Sequence, residues 1–146
     1  DPSAFQQASL SEIGGKIAET TAPFVFDQDK SIAFVDHGTP PVTVIPALVE
    51  NMLRNLIENA VKHNPAGTRI VVTCGPGARV TVEDDGRGLV DLPEHNEDLG
   101  YVKRSGELGL GQKIVRRIAE LHGAKIAIDT GRDRGTKITI DFTATA

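Results

Sequence analysis

The segment LVENMLRNLIENAVKHNP constrains the fold of this 146-residue chain more than any other segment does. From Ile45 to His63 the apolar residues recur at the three- and four-residue spacing of an amphipathic helix. The pattern stops at NPAG, residues 64–67, because a proline disfavours the helical conformation of the residue before it. The sequence therefore predicts one long helix over Ile45–His63.

Weaker patterns on both sides of this helix predict the remaining elements. Ser9 and Glu12 form a capping box for a first helix, which we expect Pro23 to end. Alternating residues predict strands at six places, around Phe24–Phe26, Ile32–Phe34, Arg69–Cys74, Arg79–Glu83, Lys125–Asp129 and Lys137–Phe142. Gly75-Pro76-Gly77 is typical of a hairpin turn between the third and fourth of these strands.

The last third of the chain contains a long polar stretch followed by another helix. Val90–Glu107 has few apolar residues, and a loop of this length in a compact domain is typical of a lid or binding loop. The helix is predicted over about Gly109–Leu121 and stops at His122-Gly123. Its apolar face is expected to consist of Leu110, Ile114, Ile118 and Leu121.

Helices that alternate with hairpins predict an α/β fold class, an α+β two-layer sandwich. In such a fold, helices cover one face of a mixed, largely antiparallel sheet. The length suits a single domain over residues 1–146. We expect an N-terminal helix and hairpin in about residues 1–44 and a motif-bearing core in residues 45–142.

Composition and charge exclude several classes of protein. The net charge of −4 and the scattered Lys and Arg residues argue against a nucleic-acid partner. A single cysteine, Cys74, excludes an internal disulfide framework and Cys-rich zinc sites. No apolar run approaches the roughly 18–20 residues that span a bilayer. The polar start DPSAFQQASL lacks a signal-peptide pattern, and we expect this chain to be a domain cut from a longer protein.

Three asparagines, Asn51, Asn55 and Asn59, recur every four residues along the long helix. Asparagine is a poor helix former, so a row of three calls for a reason. A carboxamide at the edge of the apolar face offers a neutral oxygen to Mg²⁺ or to its bound water. The alternative is a partly buried polar row that bonds to loops. Lys62 similarly has the alternative of an ion pair with Glu58, four residues earlier.

Two glycine-rich segments, VEDDGRG and GELGLG, place glycines where a ligand or another backbone could come close. The second opens onto a helix, whose N-terminal N–H groups can receive phosphate oxygens. The alternative for both is turn and helix-start geometry alone. The phosphate loop G-x-x-x-x-G-K-[ST] is absent. The DTG at residues 129–131 matches an aspartic-protease signature, but it enters a Gly-rich connection between strands, where Asp and Gly are favoured anyway.

In this order and spacing, the motifs resemble the ATP-binding catalytic domain of bacterial sensor histidine kinases, in the GHKL group. NLIENAVKH at 55–63 resembles the family's N box, and DDGRG at 84–88 its D-x-G-x-G box. GLGQKIV at 109–115 resembles its G-L-G-L-x-I-V box, and Gly135-Thr136 fits the Gly-Thr before the last strand. The resemblance covers about Ile45–Phe142 and implies the Bergerat-type ATP-binding fold.

The resemblance also implies a role for each matching residue. Asp84 would accept a hydrogen bond from the adenine amine, Thr136 would help to hold that carboxylate, and His63 would stack on the base. Asn59 would hold Mg²⁺, with Asn55 beside it and Lys62 facing the phosphates. The remaining implied nucleotide contacts are Gly86, Gly88, Leu89, Tyr101, Lys103, Arg104, Gly109, Leu110 and Gly111. Asp85, one residue after Asp84 in an alternating strand, is expected to point the other way.

Three features refine the expected activity. ATP-hydrolysing members of the group place a Glu where this chain has Asn55, and Asn cannot act as a general base. This favours phosphoryl transfer over hydrolysis, because transfer requires mainly positioning and charge neutralisation. Glu107-Leu108 and Gln112 depart from the family's glycine box. None of His37, His63, His95 and His122 lies in the setting of the family's phosphoacceptor His.

The resemblance therefore implies a Mg-ATP-dependent histidine kinase fragment that acts in two-component signal transduction. Its partners would be the helical phosphoacceptor domain of the same kinase and a response regulator. The parent protein is expected to be a homodimer, cytoplasmic or membrane-anchored with this part in the cytoplasm. Two alternatives remain: a Ser/Thr kinase of the anti-sigma type, and a degenerate nucleotide-binding module without transfer activity.

Overall fold

The computed structural model describes residues 4–86, 110–131 and 135–145, without the side chains of residues 110–112 and 145. The α-helices of these residues are α1 (Leu10–Asp27), α2 (Pro46–Lys62) and α3 (Leu110–His122). The strands are β1 (Gln6–Ala8), β2 (Ser31–Asp36), β3 (Val42–Val44), β4 (Arg69–Cys74), β5 (Arg79–Asp84), β6 (Lys125–Gly131) and β7 (Gly135–Asp141). A short 3-10 helix, Thr143–Thr145, follows β7.

Five of the strands form one mixed sheet in the order β2-β4-β5-β7-β6. β2 runs parallel to β4, and every other neighbouring pair is antiparallel. The predicted fold class, with a mixed and largely antiparallel sheet, is confirmed. The structure adds a small antiparallel sheet of β1 and β3, which alternation over three residues is too short to predict.

The helices pack on one face of the five-stranded sheet. α1 contacts β2 and β4, α2 contacts β5, and α3 contacts β6. The alternation along β4 shows the two faces, since Ile70, Val72 and Cys74 are buried while Arg69 is exposed. α2 also contacts both other helices, so the long predicted helix lies at the centre of one apolar core. Within the described part of the chain, no helix is both long and apolar enough to cross a bilayer.

The first helix is longer than predicted. Pro23 does not end α1 but lies inside it, and the predicted strand at Phe24–Phe26 is wrong. The intervening Val25 is fully buried, whereas Phe24 and Phe26 are 43% and 58% exposed. Ile17, Thr21 and Val25 form a buried row at helical spacing, so core packing outweighs the hydrogen bond that proline removes from an exposed turn.

The last helix buries a face that only partly matches the predicted one, since Ile118 is buried and Ile114 packs against the core as expected. Leu121 is 55% exposed, so its assignment to the apolar face is wrong. Among the described side chains of this helix, Val115, Ala119 and His122 are buried together with Ile118. His122 lies at the helix end, as expected, but it is still helical and only 4% of it is exposed. The burial of His122 was not expected, because a histidine before a glycine is typical of a polar helix end.

His122 joins the end of α3 to the start of α2. Its Nδ1–H donates to the carbonyl of Ile118 (2.8 Å), and its Nε2 accepts the backbone N–H of Ile45 (3.0 Å). Ile45 is the N-cap residue of α2 and supplies no side-chain cap. Because the first N–H groups of a helix lack partners within the helix, the imidazole satisfies one donor at this junction.

Candidate functional site

Asp84 ends the central strand β5 with its side chain on the helix-covered face. Val80, Val82 and Asp84 alternate along this strand, and all three are buried, with Asp84 only 8% exposed. In the sheet, Asp84 lies between Ile70 of β4 and Thr136 of β7. The strand pattern therefore carries an acidic side chain into a position where its neighbours along the strand are apolar.

Asp85 has a separate, structural role at the edge of β4. Its side chain is exposed, and its Oδ1 accepts the backbone N–H of Arg69 (2.7 Å). The Asp85 N–H donates to the Arg69 carbonyl (3.2 Å). These two bonds extend the β4–β5 pairing by one residue. As the alternation predicted, the two adjacent acids do not form one unit.

Three N–H groups converge on the Asp84 carboxylate. The Gly86 backbone N–H donates to Asp84 Oδ1 (2.9 Å), and the Thr136 backbone and the Asn64 side chain also bond to the carboxylate. Burial raises the pKa of Asp84 above its ordinary value, and the charge of Asp85 adds to this effect. The three hydrogen bonds lower the pKa and so partly offset the burial.

Thr136 holds the Asp84 carboxylate through its main chain. The Thr136 hydroxyl instead bonds to the hydroxyl of Thr130 (3.0 Å), which donates to the Gly135 carbonyl (3.1 Å). Gly135 has a φ of 80° and lies against the backbone of Asp84, where a Cβ would overlap the Asp84 carbonyl oxygen. The Gly-Thr pair therefore allows β7 to approach the end of β5 closely.

Asn64 also belongs to this candidate site, although its place in the NPAG stop of α2 predicts no role beyond ending the helix. Its Nδ2 donates to the Ala60 carbonyl at the end of α2 (2.8 Å). A Cβ on Gly86 would overlap Oδ1 and Cγ of Asn64. The resemblance implies that Gly86 leaves room for a bound base. The structure adds a second reason for glycine here, because the Asn64 side chain needs the same space.

The asparagine row lies on α2, whose end adjoins Asp84 through Asn64. Asn55 is half-buried, and its Nδ2 donates to the carbonyl oxygen (2.8 Å) and to Oδ1 (3.1 Å) of Asn51. Asn59 is half-buried too, and its carboxamide has no hydrogen-bond partner among the described residues. Its backbone carbonyl accepts the N–H of His63, the half-buried C-cap residue (3.1 Å).

Lys62 is exposed at the last turn of α2. The ion pair with Glu58 that the sequence offered does not form within 4.0 Å in the described structure. Among the described residues, no three His, Cys, Asp or Glu side chains are grouped so as to hold a metal ion. A magnesium site at Asn59 would use a carboxamide oxygen and not a group of those four residue types, so it stays a prediction.

The other predicted contacts lie outside the described residues or lack a described side chain. Outside are Gly88, Leu89, Tyr101, Lys103, Arg104 and Gly109. Leu110 and Gly111 belong to the first turn of α3, but their side-chain environment is not described. The predicted lid, Val90–Glu107, also lies outside the described ranges.

A depression of about 260 Å³ lies at the same end of the sheet. It is lined by Arg69, Val71, Glu83, Asp84 and Asp85. Arg69 and Glu83 are exposed and belong to the face that the helices leave uncovered. This depression is therefore distinct from the helix-side position into which the Asp84 side chain is buried.

Comparison with known proteins places this chain in a family. Residues 45–146 match the family described as Histidine kinase-, DNA gyrase B-, and HSP90-like ATPase. The sensor protein IrlS of Burkholderia pseudomallei is 31% identical over 136 residues, which cover 82% of this chain and 28% of that protein. The sensor protein BasS of Salmonella typhimurium is 35% identical over 96 residues, 62% of this chain and 27% of that protein. The chain thus spans little more than a quarter of these curated relatives.

Solved structures share the fold over nearly the whole chain. The catalytic domain of the histidine kinase ThkA has a TM-score of 0.73 at 21% identity, covering 93% of this chain and 92% of that one. The histidine kinase domain of a blue-light activated kinase from Erythrobacter litoralis has a TM-score of 0.69 at 25% identity, covering 96% of this chain and 68% of that one. The shared fold agrees with the family match, and that match over residues 45–146 shows that the chain belongs to the histidine kinase-, DNA gyrase B- and HSP90-like ATPase family.

Proposed function

We propose that this domain binds Mg-ATP and transfers the γ-phosphoryl group to a histidine of a helical phosphoacceptor domain outside this chain. The observation that carries the proposal is the buried Asp84 carboxylate, held by N–H groups at the end of a central strand. A carboxylate in such a position is costly for folding, and its pKa is raised by burial. A ligand-binding role accounts for that cost.

The hydrogen-bonding capacity of Asp84 suits an adenine amine. A carboxylate offers about four lone-pair positions, and Gly86, Thr136 and Asn64 use three of them. With respect to the described residues, one acceptor position remains for an external donor. Adenine presents an exocyclic amine, whereas guanine presents a carbonyl oxygen on the corresponding carbon. The site should therefore discriminate ATP from GTP, since oxygen facing a carboxylate forms no hydrogen bond.

The end of α2 supplies the groups proposed for the metal and the phosphates. The Asn59 carboxamide oxygen is of the ligand type that Mg²⁺ accepts, and it has no competing partner among the described residues. Asn55 is oriented by Asn51 and lies one helical turn away. Lys62 presents an exposed ammonium group for the phosphates, and His63 a half-buried ring for the base. Bound Mg²⁺ would neutralise phosphate charge at this site.

The chemistry of Asn55 favours phosphoryl transfer over hydrolysis. An amide cannot remove a proton from water, so this helix provides no general base at that position. We propose that the glycines and lid residues complete the nucleotide contacts, with Gly86 and Gly88 leaving room for the base and Gly109 and Gly111 closing over the phosphates. These residues are Gly86, Gly88, Leu89, Tyr101, Lys103, Arg104, Gly109, Leu110 and Gly111.

The proposed partners follow from the relatives, which are named sensor proteins. We propose a parent kinase that is homodimeric, with this domain in the cytoplasm, whether or not the parent is anchored in a membrane. Its phosphoacceptor domain would receive the phosphoryl group and pass it to a response regulator. The Ser/Thr kinase and degenerate-module alternatives differ from this proposal in the acceptor and in the transfer step.

Calorimetric titration tests the binding step. The wild-type domain is titrated with a non-hydrolysable ATP analogue, with and without Mg²⁺, and with the matching GTP analogue. We expect Mg²⁺ to strengthen ATP-analogue binding and the GTP analogue to bind at least about tenfold more weakly, the effect of one lost hydrogen bond at a buried charge. Equal affinity for both analogues contradicts the adenine assignment. Asn59→Ala should remove the Mg²⁺ dependence, and a persisting dependence rules out Asn59 as the ligand.

A separate assay tests the transfer step. The domain is mixed with the phosphoacceptor helical domain of its parent protein and γ-labelled ATP. We expect label in an acid-labile, base-stable linkage on that partner, as a phosphohistidine requires. Acid-stable label on Ser or Thr supports the anti-sigma type instead. Analogue binding without any label supports the degenerate module.

A further inference from the structure

The last turn of α2 and the end of β5 meet at the Asn64 side chain. Its Nδ2 is held by the Ala60 carbonyl (2.8 Å), which anchors the amide to the helix. The same side chain bonds to the Asp84 carboxylate and lies against the main chain of Gly86. One short polar side chain therefore contacts three points: the helix end, the buried acid and the residue after the strand.

The contact with Gly86 is steric in origin. Gly86 is not among the glycines with a positive φ, so its backbone conformation does not itself demand glycine. The space that a Cβ on Gly86 would need is occupied by Oδ1 and Cγ of Asn64. Asn64 Cβ lies 3.0 Å from the position that this added Cβ would take. Asn64 thus sets where the Gly86 main chain can lie, and the Gly86 N–H in turn donates to Asp84 Oδ1 (2.9 Å).

We propose that Asn64 is a positioning residue for the nucleotide site. It orients the Asp84 carboxylate in two ways: by its own hydrogen bond to that carboxylate, and by fixing the Gly86 main chain, whose N–H also donates to it. The identity of the ligand in this inference rests on the proposed function, whereas the Asn64–Gly86–Asp84 contacts do not. An amide fits both tasks, since its N–H₂ group provides two donors and its oxygen packs on the glycine. Alanine would leave the carboxylate with one donor fewer.

The first test follows Asp84 itself, without any nucleotide. The carboxyl ¹³C signal of Asp84, assigned with Asp84→Asn, is titrated by NMR in wild type and in Asn64→Ala. Because the Asn64 hydrogen bond lowers the Asp84 pKa, we expect Asn64→Ala to raise that pKa further. Asn64→Asp keeps the shape but replaces a donor by a charge, so it should raise the Asp84 pKa more. An Asp84 titration that is unchanged in both variants overturns the proposal.

The second test is a rescue experiment on nucleotide affinity. We expect Gly86→Ala to weaken ATP-analogue binding strongly, because the new methyl group collides with Asn64. Asn64→Ala should weaken binding by about tenfold, the typical effect of one hydrogen bond to a charged group. The double variant should bind no more weakly than Gly86→Ala alone, since Asn64→Ala removes the colliding atoms. Additive losses in the double variant contradict the coupling.

Two matched controls accompany these variants. Gln28→Ala removes an amide side chain at the C-cap of α1 and should leave both readouts at wild-type values. Gly15→Ala adds a methyl group against the ring of Phe34, and Asn64→Ala should not alter its effect. If wild type itself binds no ATP analogue, the proposed function fails, and the Asp84 titration still decides whether Asn64 positions the carboxylate.

Discussion

Replacing Asp84 with Asn should remove most of the affinity for ATP, although the two side chains have nearly the same shape. Three N–H groups already converge on the carboxylate, from Gly86, Thr136 and Asn64. An Asn side chain has one oxygen, which can accept two of these bonds, and one N–H₂ group, which cannot accept any. The N–H₂ group would therefore face either a protein donor or the amine of the base.

The magnitude follows from the loss of a hydrogen bond to a charged group. Such bonds contribute about 1.5–3 kcal/mol, and each 1.4 kcal/mol changes an equilibrium constant tenfold. We expect the dissociation constant of an ATP analogue to rise by roughly 10- to 150-fold in Asp84→Asn. Isothermal titration calorimetry at neutral pH measures this change, and circular dichroism confirms that the variant is folded.

Asp85→Asn is the matched control, because it makes the same chemical change one residue later. Asp85 is exposed, and the oxygen of Asn can still accept the N–H of Arg69. We expect its affinity to stay within about twofold of wild type, as for most exposed substitutions. An unchanged affinity in Asp84→Asn, or equal losses in the two variants, would refute the assignment of Asp84 to the base.

Three further predictions follow from the same region and from the helix junction. The pKa of Asp84 is raised, so ATP-analogue affinity should fall on acidification at a pH above the ordinary Asp value of 3.8, as titration across pH 4–7 will show. For folding the sign is opposite: a carboxyl group with a raised folded-state pKa contributes stability at low pH that is lost as pH rises through that pKa. Gly135→Ala should lower the free energy of unfolding, measured by urea denaturation, by more than about 2 kcal/mol, because strain at positive φ adds to overlap with Asp84. The control Gly67→Ala has the strain alone, since Gly67 has a φ of 91° and lies in open space, and it should lower the same free energy by only about 1 kcal/mol. His122→Ala should lower the free energy of unfolding by about 2–4 kcal/mol, because it removes a buried ring and the acceptor for the Ile45 N–H. His37 is exposed, so His37→Ala should lower it by less than about 0.5 kcal/mol, and equal losses in the two variants would contradict the role of His122.

The elements with strong local patterns were predictable from the chain alone. α2 was expected over Ile45–His63 and spans Pro46–Lys62, because its apolar spacing and the following proline both act locally. The hairpin of β4 and β5 was predicted almost to the residue from alternation and the Gly-Pro-Gly turn. In these segments, local preference and tertiary burial favour the same conformation.

The predictions of secondary structure are wrong where local preference and tertiary burial favour different conformations. Pro23 and the spacing of Phe24 and Phe26 indicate a break and a strand, yet burial of Thr21 and Val25 against the core continues α1 to Asp27. The pattern also could not show that His122 is buried, since its two hydrogen-bond partners become apparent only when α2 and α3 are packed together. A polar residue at a helix end looks the same in sequence whether it faces water or a backbone N–H.

The sequence alone determined the family-like order of motifs, the long helix with its asparagine row and the alternation that separates Asp84 from Asp85. These properties depend on the period of a strand or helix, which is a local property of the chain. Only the tertiary structure decided how Asp84 is held, because Gly86 is a neighbour, whereas Asn64 and Thr136 come from other elements. The reason that Gly86 must lack a side chain also lies in Asn64, 22 residues earlier in the numbering (86 − 64). Contacts between elements so distant along the chain leave no periodic signal in the sequence.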